Sequence, residues 1–179
     1  MSVDADAFRT GMRRLVGSVC LITTVAPDGA RSGLTATAVT AVTAEPPTLL
    51  VCINRKNSSH AAIVGSGIFA VNVLGLEDRP LSDRFASSIS GDERFSEGEW
   101  ETLATGAPTL KSALVSFDCR IAHTTVVGTH TILFGEIAAI HSHQDGRSLL
   151  YAHGSYGGFT PLTVLENPSL VQCCPTLED

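Results

Sequence analysis

The chain has 179 residues, of which 44% are hydrophobic and 17% charged, with a formal net charge of −6 and a pI near 5.4. That length and composition suit one domain with a sizeable core and exclude intrinsic disorder. The acidic balance, with no cluster of lysine and arginine, argues against nucleic acid as the main partner.

No apolar run reaches the ~18 residues that a membrane helix needs. The start, Met1-Ser2-Val3-Asp4-Ala5-Asp6, is acidic where a secretory signal would be basic and then apolar, so the expected compartment is the cytoplasm. Cys20, Cys52 and Cys119 lie inside apolar strand-like runs and read as small core residues. Together with Cys173 and Cys174 they make an odd number, with no disulfide framework and no CxxC metal pattern.

In chain order, Asp6 is placed to cap a helix whose apolar positions Phe8, Met12, Leu15 and Val16 recur at helical spacing, with Arg9, Arg13 and Arg14 turned to water. Residues 18–26 read as a strand, Pro27-Asp28-Gly29 as a turn and residues 30–43 as the returning strand of a long hairpin. Within it, Gly33-Leu34-Thr35-Ala36-Thr37-Ala38-Val39-Thr40-Ala41-Val42-Thr43 alternates apolar and hydroxyl residues and carries almost no bulk. It is either an ordinary small-residue barrel strand or a ledge that a flat ligand approaches closely.

Pro46-Pro47 ends that run, and residues 48–54 form a nearly continuous apolar strand of the kind buried on both faces. A polar corner, Arg55-Lys56-Asn57-Ser58-Ser59-His60, leads into a short helix over 61–64 closed by Gly65. Residues 68–74 read as a strand and 78–86 as a helix with Pro80 in its first turn. A polar, glycine-rich excursion over 87–108 is anchored by Phe95 and Trp100. Two long alternating runs, 113–127 and 129–141, form a second hairpin. A turn at 144–147 and a short strand over 148–153 follow, and the proline-containing tail over 161–179 is expected to be loosely attached. Six or seven mostly antiparallel strands with few helices give a mainly β fold, a closed barrel with peripheral helices in a single domain over 1–179.

Gly65-Ser66-Gly67-Ile68-Phe69-Ala70 fits a loose dinucleotide pattern but precedes a strand, where that motif must follow one and open a helix. No GxSxG elbow is present, and His141 and His143 lack a third metal ligand at convincing spacing. The polar corner is more informative. Ser58 and Ser59, with Arg55 and Lys56 just before them, are either a plain helix cap or a phosphate site built from hydroxyls, cations and helix amides.

Several segments resemble the short-chain flavin reductases, the reductase components of two-component flavin-dependent monooxygenases. They are Gly33-Leu34-Thr35-Ala36-Thr37-Ala38-Val39, Pro46-Pro47-Thr48-Leu49-Leu50-Val51-Cys52-Ile53-Asn54, Phe69-Ala70-Val71-Asn72-Val73-Leu74, Arg84-Phe85-Ala86, Ala113-Leu114-Val115-Ser116-Phe117-Asp118-Cys119, Gly128-Thr129-His130 and Gly135-Glu136-Ile137. The resemblance implies a split β-barrel, a homodimer, FMN or FAD as flavin, NADH or NADPH as electron donor, and a separate monooxygenase that receives reduced flavin by diffusion. It implies that the flavin ring lies against Thr35, Ala36, Thr37 and Ala38, that Cys52, Ile53 and Asn54 flank the ribityl chain, and that Ser58 and Ser59 take the phosphate. Arg84 and Phe85 would close over the phosphate or adenine side. His130 would meet the nicotinamide as the catalytic residue, with Tyr156 shaping that face. A second reading is a split-barrel protein that binds a flavin or another cofactor without turnover.

Overall fold

A computed structural model describes residues 3–89, 91–143 and 145–160. Helix α1 spans Ala5–Met12 and is capped by Asp4, whose carboxylate accepts from the Asp6 and Ala7 amides. The expected cap, Asp6, lies inside the first turn and pairs with Arg9 instead. The apolar positions Phe8, Met12, Leu15 and Val16 are exposed, because no described element of the chain covers them.

Strands β1 (Gly17–Ser18) and β2 (Cys20–Val25) occupy different sheets, so the single strand expected over 18–26 is divided at Val19. The long small-residue strand is likewise divided, into β3 (Arg31–Ala36) and β4 (Val39–Ala44). β5 (Pro47–Asn54) is followed by α2 (His60–Ser66), β6 (Ile68–Val73), a 3-10 turn at Leu76–Asp78 and α3 (Arg79–Ala86). α2 runs past Gly65 and ends where Gly67 takes φ +72°, a left-handed cap that glycine adopts without strain. The excursion over 87–108 contains a 3-10 turn, Gly91–Ser96, and its own hairpin, β7 (Trp100–Thr102) with β8 (Pro108–Leu110). β9 (Val115–Val127) and β10 (His130–Ser142) form the long hairpin, bulged at Phe134/Gly135 and Ile137/Ala139. β11 (Leu149–Ala152) and β12 (Ser155–Gly158) form a last hairpin against β1.

The main sheet has seven strands in the order β3-β2-β6-β9-β10-β5-β4. Its two edges are consecutive in the chain. Only Thr37 and Ala38 separate β3 from β4, and three Cα steps span about 11 Å at most, so the sheet must curl until its edges nearly meet. No ladder closes that seam among the described residues, which makes the barrel split. This agrees with the expected mainly β barrel.

Two hydrophobic clusters lie on opposite faces of the curled sheet. Ile22, Leu34, Val51, Ile53, Phe69, Val71 and Leu133 fill the interior. Val19, Leu21, Leu81, Phe85, Phe95 and Leu110 pack outside, between the sheet and α3 with the 87–110 excursion. β2 and β6 are therefore the strands buried on both faces. The expectation had given that place to residues 48–54. There only Leu49, Val51 and Ile53 point inward, while Leu50 and Cys52 are half-buried on a face that no other described element covers. Cys20 and Cys119 are core thiols, pushed up to about 12 by burial. The tail over 161–179 and part of the turn at 144–147 lie outside the described residues.

Candidate functional site

A cleft of about 650 Å³ runs along β3, bounded by the corner before α2 and by the chain leaving α3. Its lining includes Ser32 and Thr35 from β3, Lys56, Asn57 and Ser58 from the corner, and Phe85, Ser87, Ile89 and Arg94 from the far side. The corner is shaped by side-chain-to-backbone bonds of the Asx type. Asn54 Oδ1 accepts from the Lys56 amide at 3.0 Å and Asn57 Oδ1 from the Ser59 amide at 2.9 Å. These turns leave Lys56 and Ser58 exposed at the mouth.

The two serines diverge. Ser58 faces the cleft, whereas Ser59 is fully buried and its hydroxyl donates to the Gly33 carbonyl oxygen at 2.8 Å. Its side chain caps no helix amide either. Of the expected pair of phosphate ligands, only Ser58 presents a hydroxyl to the cleft, because Ser59 is spent on joining the corner to β3. Gly33 is glycine for a steric reason. A Cβ there would lie 2.8 Å from the Ile22 carbonyl oxygen and 2.9 Å from Phe85 Cε1.

Arg84, expected over the phosphate or adenine side, is not among the residues lining the cleft. Its guanidinium donates to the Glu93 carbonyl, to Ser96 Oγ at 2.7 Å and to Glu97 at 3.1 Å, which holds the 93–97 segment against α3. Phe85 does line the cleft, but as its apolar floor: it is 2% exposed and packs edge-on against Phe95, with ring centroids 5.0 Å apart. Ile53 is a core residue, so it meets no ligand through its side chain.

Thr35 is half-buried, and its hydroxyl donates to the Ser82 carbonyl at 2.7 Å. Ala36 ends β3 opposite Cys20 and packs on the interior cluster. Thr37 and Ala38 form the exposed seam, and the Ala38 carbonyl accepts from the Cys52 amide at 3.0 Å. Cys52 is half-buried and Asn54 exposed on β5. His130 opens β10 directly across from Asn54; it is exposed, and its Nδ1 lies 2.9 Å from Thr129 Oγ1. Tyr156 stands on β12, which the sequence reading did not anticipate. Its hydroxyl lies 2.9 Å from Ser82 Oγ and donates to Asp83 at 2.9 Å, under the Arg79 guanidinium. Burial, with Asp83 beside it, pushes the Tyr156 phenol above its ordinary value.

Arg94 is the residue that sequence reasoning missed. It sits in the polar excursion, and its only signal was its place beside the aromatic anchor Phe95. It is 5% exposed, and its Nη1 donates to the Gly33 carbonyl at 2.5 Å and to Ser59 Oγ at 3.2 Å, while Nη2 donates to the Ser87 carbonyl at 3.1 Å. Its Nε is buried without a partner among the described residues, and desolvation pulls the guanidinium below its ordinary value.

No metal-binding group of His, Cys, Asp and Glu forms among the described residues, and none of their helices is long and apolar enough to cross a membrane. His141 pairs with Glu101 at 2.8 Å, and His143 donates to the Lys111 carbonyl at 2.7 Å. Residues 65–70 end α2 and open β6, the wrong order for a dinucleotide loop.

The fold is a split β-barrel, and the cleft beside its edge strand β3 carries two cations and several hydroxyls. The flavin reductase like domain family matches residues 12–160, and the chain belongs to that family. It is 45% identical over 155 residues to an FMN reductase (NADH) RutF of Stutzerimonas stutzeri strain A1501, covering 87% of this chain and 88% of that one. A crystal structure of a protein described as a flavin reductase from Haemophilus somnus 129pt superposes with a TM-score of 0.85 at 41% identity, covering 88% of this chain and all (100%) of that one. The flavin reductase PheA2 superposes with a TM-score of 0.80 at 30% identity, covering 89% of this chain and 100% of that one.

Proposed function

We propose that the chain is an NADH-dependent FMN reductase that releases reduced flavin to a separate flavin-dependent monooxygenase. The observation that carries the reading is the cleft along β3: two cations and several hydroxyls line it in a chain whose net charge is −6. That lining fits a flavin phosphate, and FMN with NADH follows the relatives of the RutF type. The redox chemistry belongs to the two ligands, a hydride passing from the nicotinamide ring to the flavin ring, which is why the site needs no nucleophile or acid pair of its own.

The protein's part is to hold and orient. Lys56 and Ser58 take the phosphate. The seam, Thr35 to Ala38, offers small side chains and main-chain groups to the flat ring. His130 and Tyr156 shape the face that the nicotinamide approaches, and the Tyr156 hydroxyl is fixed between Ser82 and Asp83. Orientation of two bound rings removes several kcal/mol of barrier.

The working unit is a homodimer joined through the outer face of β4, β5, β10 and β9. Leu50, Cys52, Ile132 and Phe134 are half-buried on that face, and Val127, opposite His130 at its end, is 57% exposed. An apolar sheet face of this extent is the mark of an interface.

The test mixes purified protein with NADH and FMN, the flavin in large excess over protein, and follows absorbance at 340 nm. Sustained loss through many turnovers supports the reading, and a single stoichiometric step or none overturns it. Parallel initial rates with FAD and with NADPH rank the ligands.

A further inference from the structure

We propose that Ser82 of α3 is a positioning residue for the hydride transfer: it joins the small-residue ledge on β3 to the tyrosine wall on β12 and keeps the two at one separation. The inference rests on the flavin reductase reading above and goes beyond it in naming the residue that sets the two walls against each other.

Ser82 is fully buried within α3 and makes two bonds in different directions. Its main-chain carbonyl accepts from the Thr35 hydroxyl at 2.7 Å, and its Oγ lies 2.9 Å from the Tyr156 hydroxyl. The direction of the second bond follows from counting protons. A phenol has one, and Tyr156 donates it to Asp83 at 2.9 Å, so Ser82 Oγ donates to Tyr156. One residue therefore reaches β3 through its backbone and β12 through its side chain.

The two strands have no ladder between them. β3 is an edge of the seven-stranded sheet and β12 an edge of the three-stranded one. α3 supplies the connection. Phe85, one turn further along the same helix, fills the space that a side chain on Gly33 would take, so α3 is seated on β3 at two levels. Tyr156 is then fixed to that seated helix by Ser82 and Asp83, with the Arg79 guanidinium 5.2 Å from the centre of its ring.

Nothing in the helix itself asks for serine at 82. Alanine is the better helix former and would leave no hydroxyl to satisfy in a buried place. What the hydroxyl supplies is the hold on Tyr156. Bound rings react at a rate that falls steeply when they are misplaced, so a fixed distance from the ledge to the tyrosine wall bears directly on turnover.

Ser82→Ala removes the bond to Tyr156 and keeps the carbonyl that holds Thr35, so it loosens one wall only. Steady-state kinetics are read beside calorimetric titration of NAD+ into protein loaded with FMN. The KM for NADH and the Kd for NAD+ each rise about fivefold and kcat falls, while the KM for FMN stays within about twofold. Tyr156→Phe cuts the same bond from the other side and gives the same pattern at least as strongly. Because Ser82 acts through the phenol, the double variant is no worse than Tyr156→Phe alone. Equal rises in the KM for NADH and for FMN, a lower kcat with both affinities unchanged, no change at all, or additive losses in the double variant each overturn the inference.

Should Ser82→Ala not fold, Tyr156→Phe decides, since Tyr156 is half-buried and lies outside the helix. Weaker NAD+ binding with FMN binding kept supports the inference, and both kept or both lost overturns it. If the unmodified protein does not turn over NADH with FMN, the activity reading fails. If it does and Ser82→Ala is silent, only the role of Ser82 fails.

Discussion

Ser59 and Gly33 are joined by a hydrogen bond of 2.8 Å from hydroxyl to carbonyl, linking positions 26 residues apart and tying the corner before α2 to the edge strand β3. Its neighbour Ser58 turns to the cleft. The two serines therefore separate stability from binding. Ser59→Ala lowers Tm by the loss of a buried bond, of order 1 kcal/mol, and leaves the KM for FMN nearly unchanged. Ser58→Ala leaves Tm unchanged and raises that KM severalfold. Melting curves and initial rates on the two variants check this.

Gly33 has no space for a side chain. A Cβ would stand 2.8 Å from a backbone oxygen of β2 and 2.9 Å from the Phe85 ring. The ring can yield, but the backbone oxygen is held in the β2–β3 ladder, where Gly33 pairs with Thr23. Gly33→Ala is expected to cost roughly 1–3 kcal/mol, seen as a lower denaturation midpoint at unchanged m-value.

Ile132 and Phe134 lie on the outward side of β10, flanked by Leu50 and Cys52 of β5. If that face is the dimer interface, Phe134→Glu places a charge at its centre and yields a monomer by light scattering with the β-sheet circular dichroism retained. A variant that stays dimeric removes this face as the interface.

The Tyr156 phenol is raised above its ordinary value, first by burial and then by Asp83. A group whose folded pKa lies above its unfolded value contributes stability in full below the unfolded value, about 10 for tyrosine, and loses it as pH rises through the folded one. Tm should therefore fall more steeply for the unmodified protein than for Tyr156→Phe between about pH 9.5 and 11. The core thiols Cys20 and Cys119 also titrate on the alkaline side, but equally in both proteins, so the difference between the two curves reports Tyr156.

The barrel was legible because alternation, turn residues and strand length act locally, and the β9–β10 hairpin and the proline-started α3 are where the pattern put them. The break at Thr37–Ala38 was not. Nothing in a run of alternating threonines and alanines marks where a strand leaves one edge of a sheet for the other, since that is decided by distant partners such as Cys52. The cleft's floor and mouth, Phe85 and Ser58, lay among the expected site residues. The departures at Ser59 and Arg84 turn on side-chain direction, and a Ser-Ser pair or an Arg-Phe pair looks the same from either side. Arg94 escaped notice because a lone arginine in a polar excursion resembles any solvated charge until burial is known.

The link that brings the two edges of the sheet together also governs how the chain reaches its native state. β5 must find β10 across a separation that puts Thr48 opposite Glu136, and β2 must find β6 with Cys20 opposite Val73, before the edges beside Thr37 have anything to close upon. Contacts so distant in sequence charge their loop entropy in advance, which places folding in the millisecond-to-second range of β-rich chains. Until then the apolar strands stand open to pairing with other copies, so the yield of refolded protein should fall as its concentration rises.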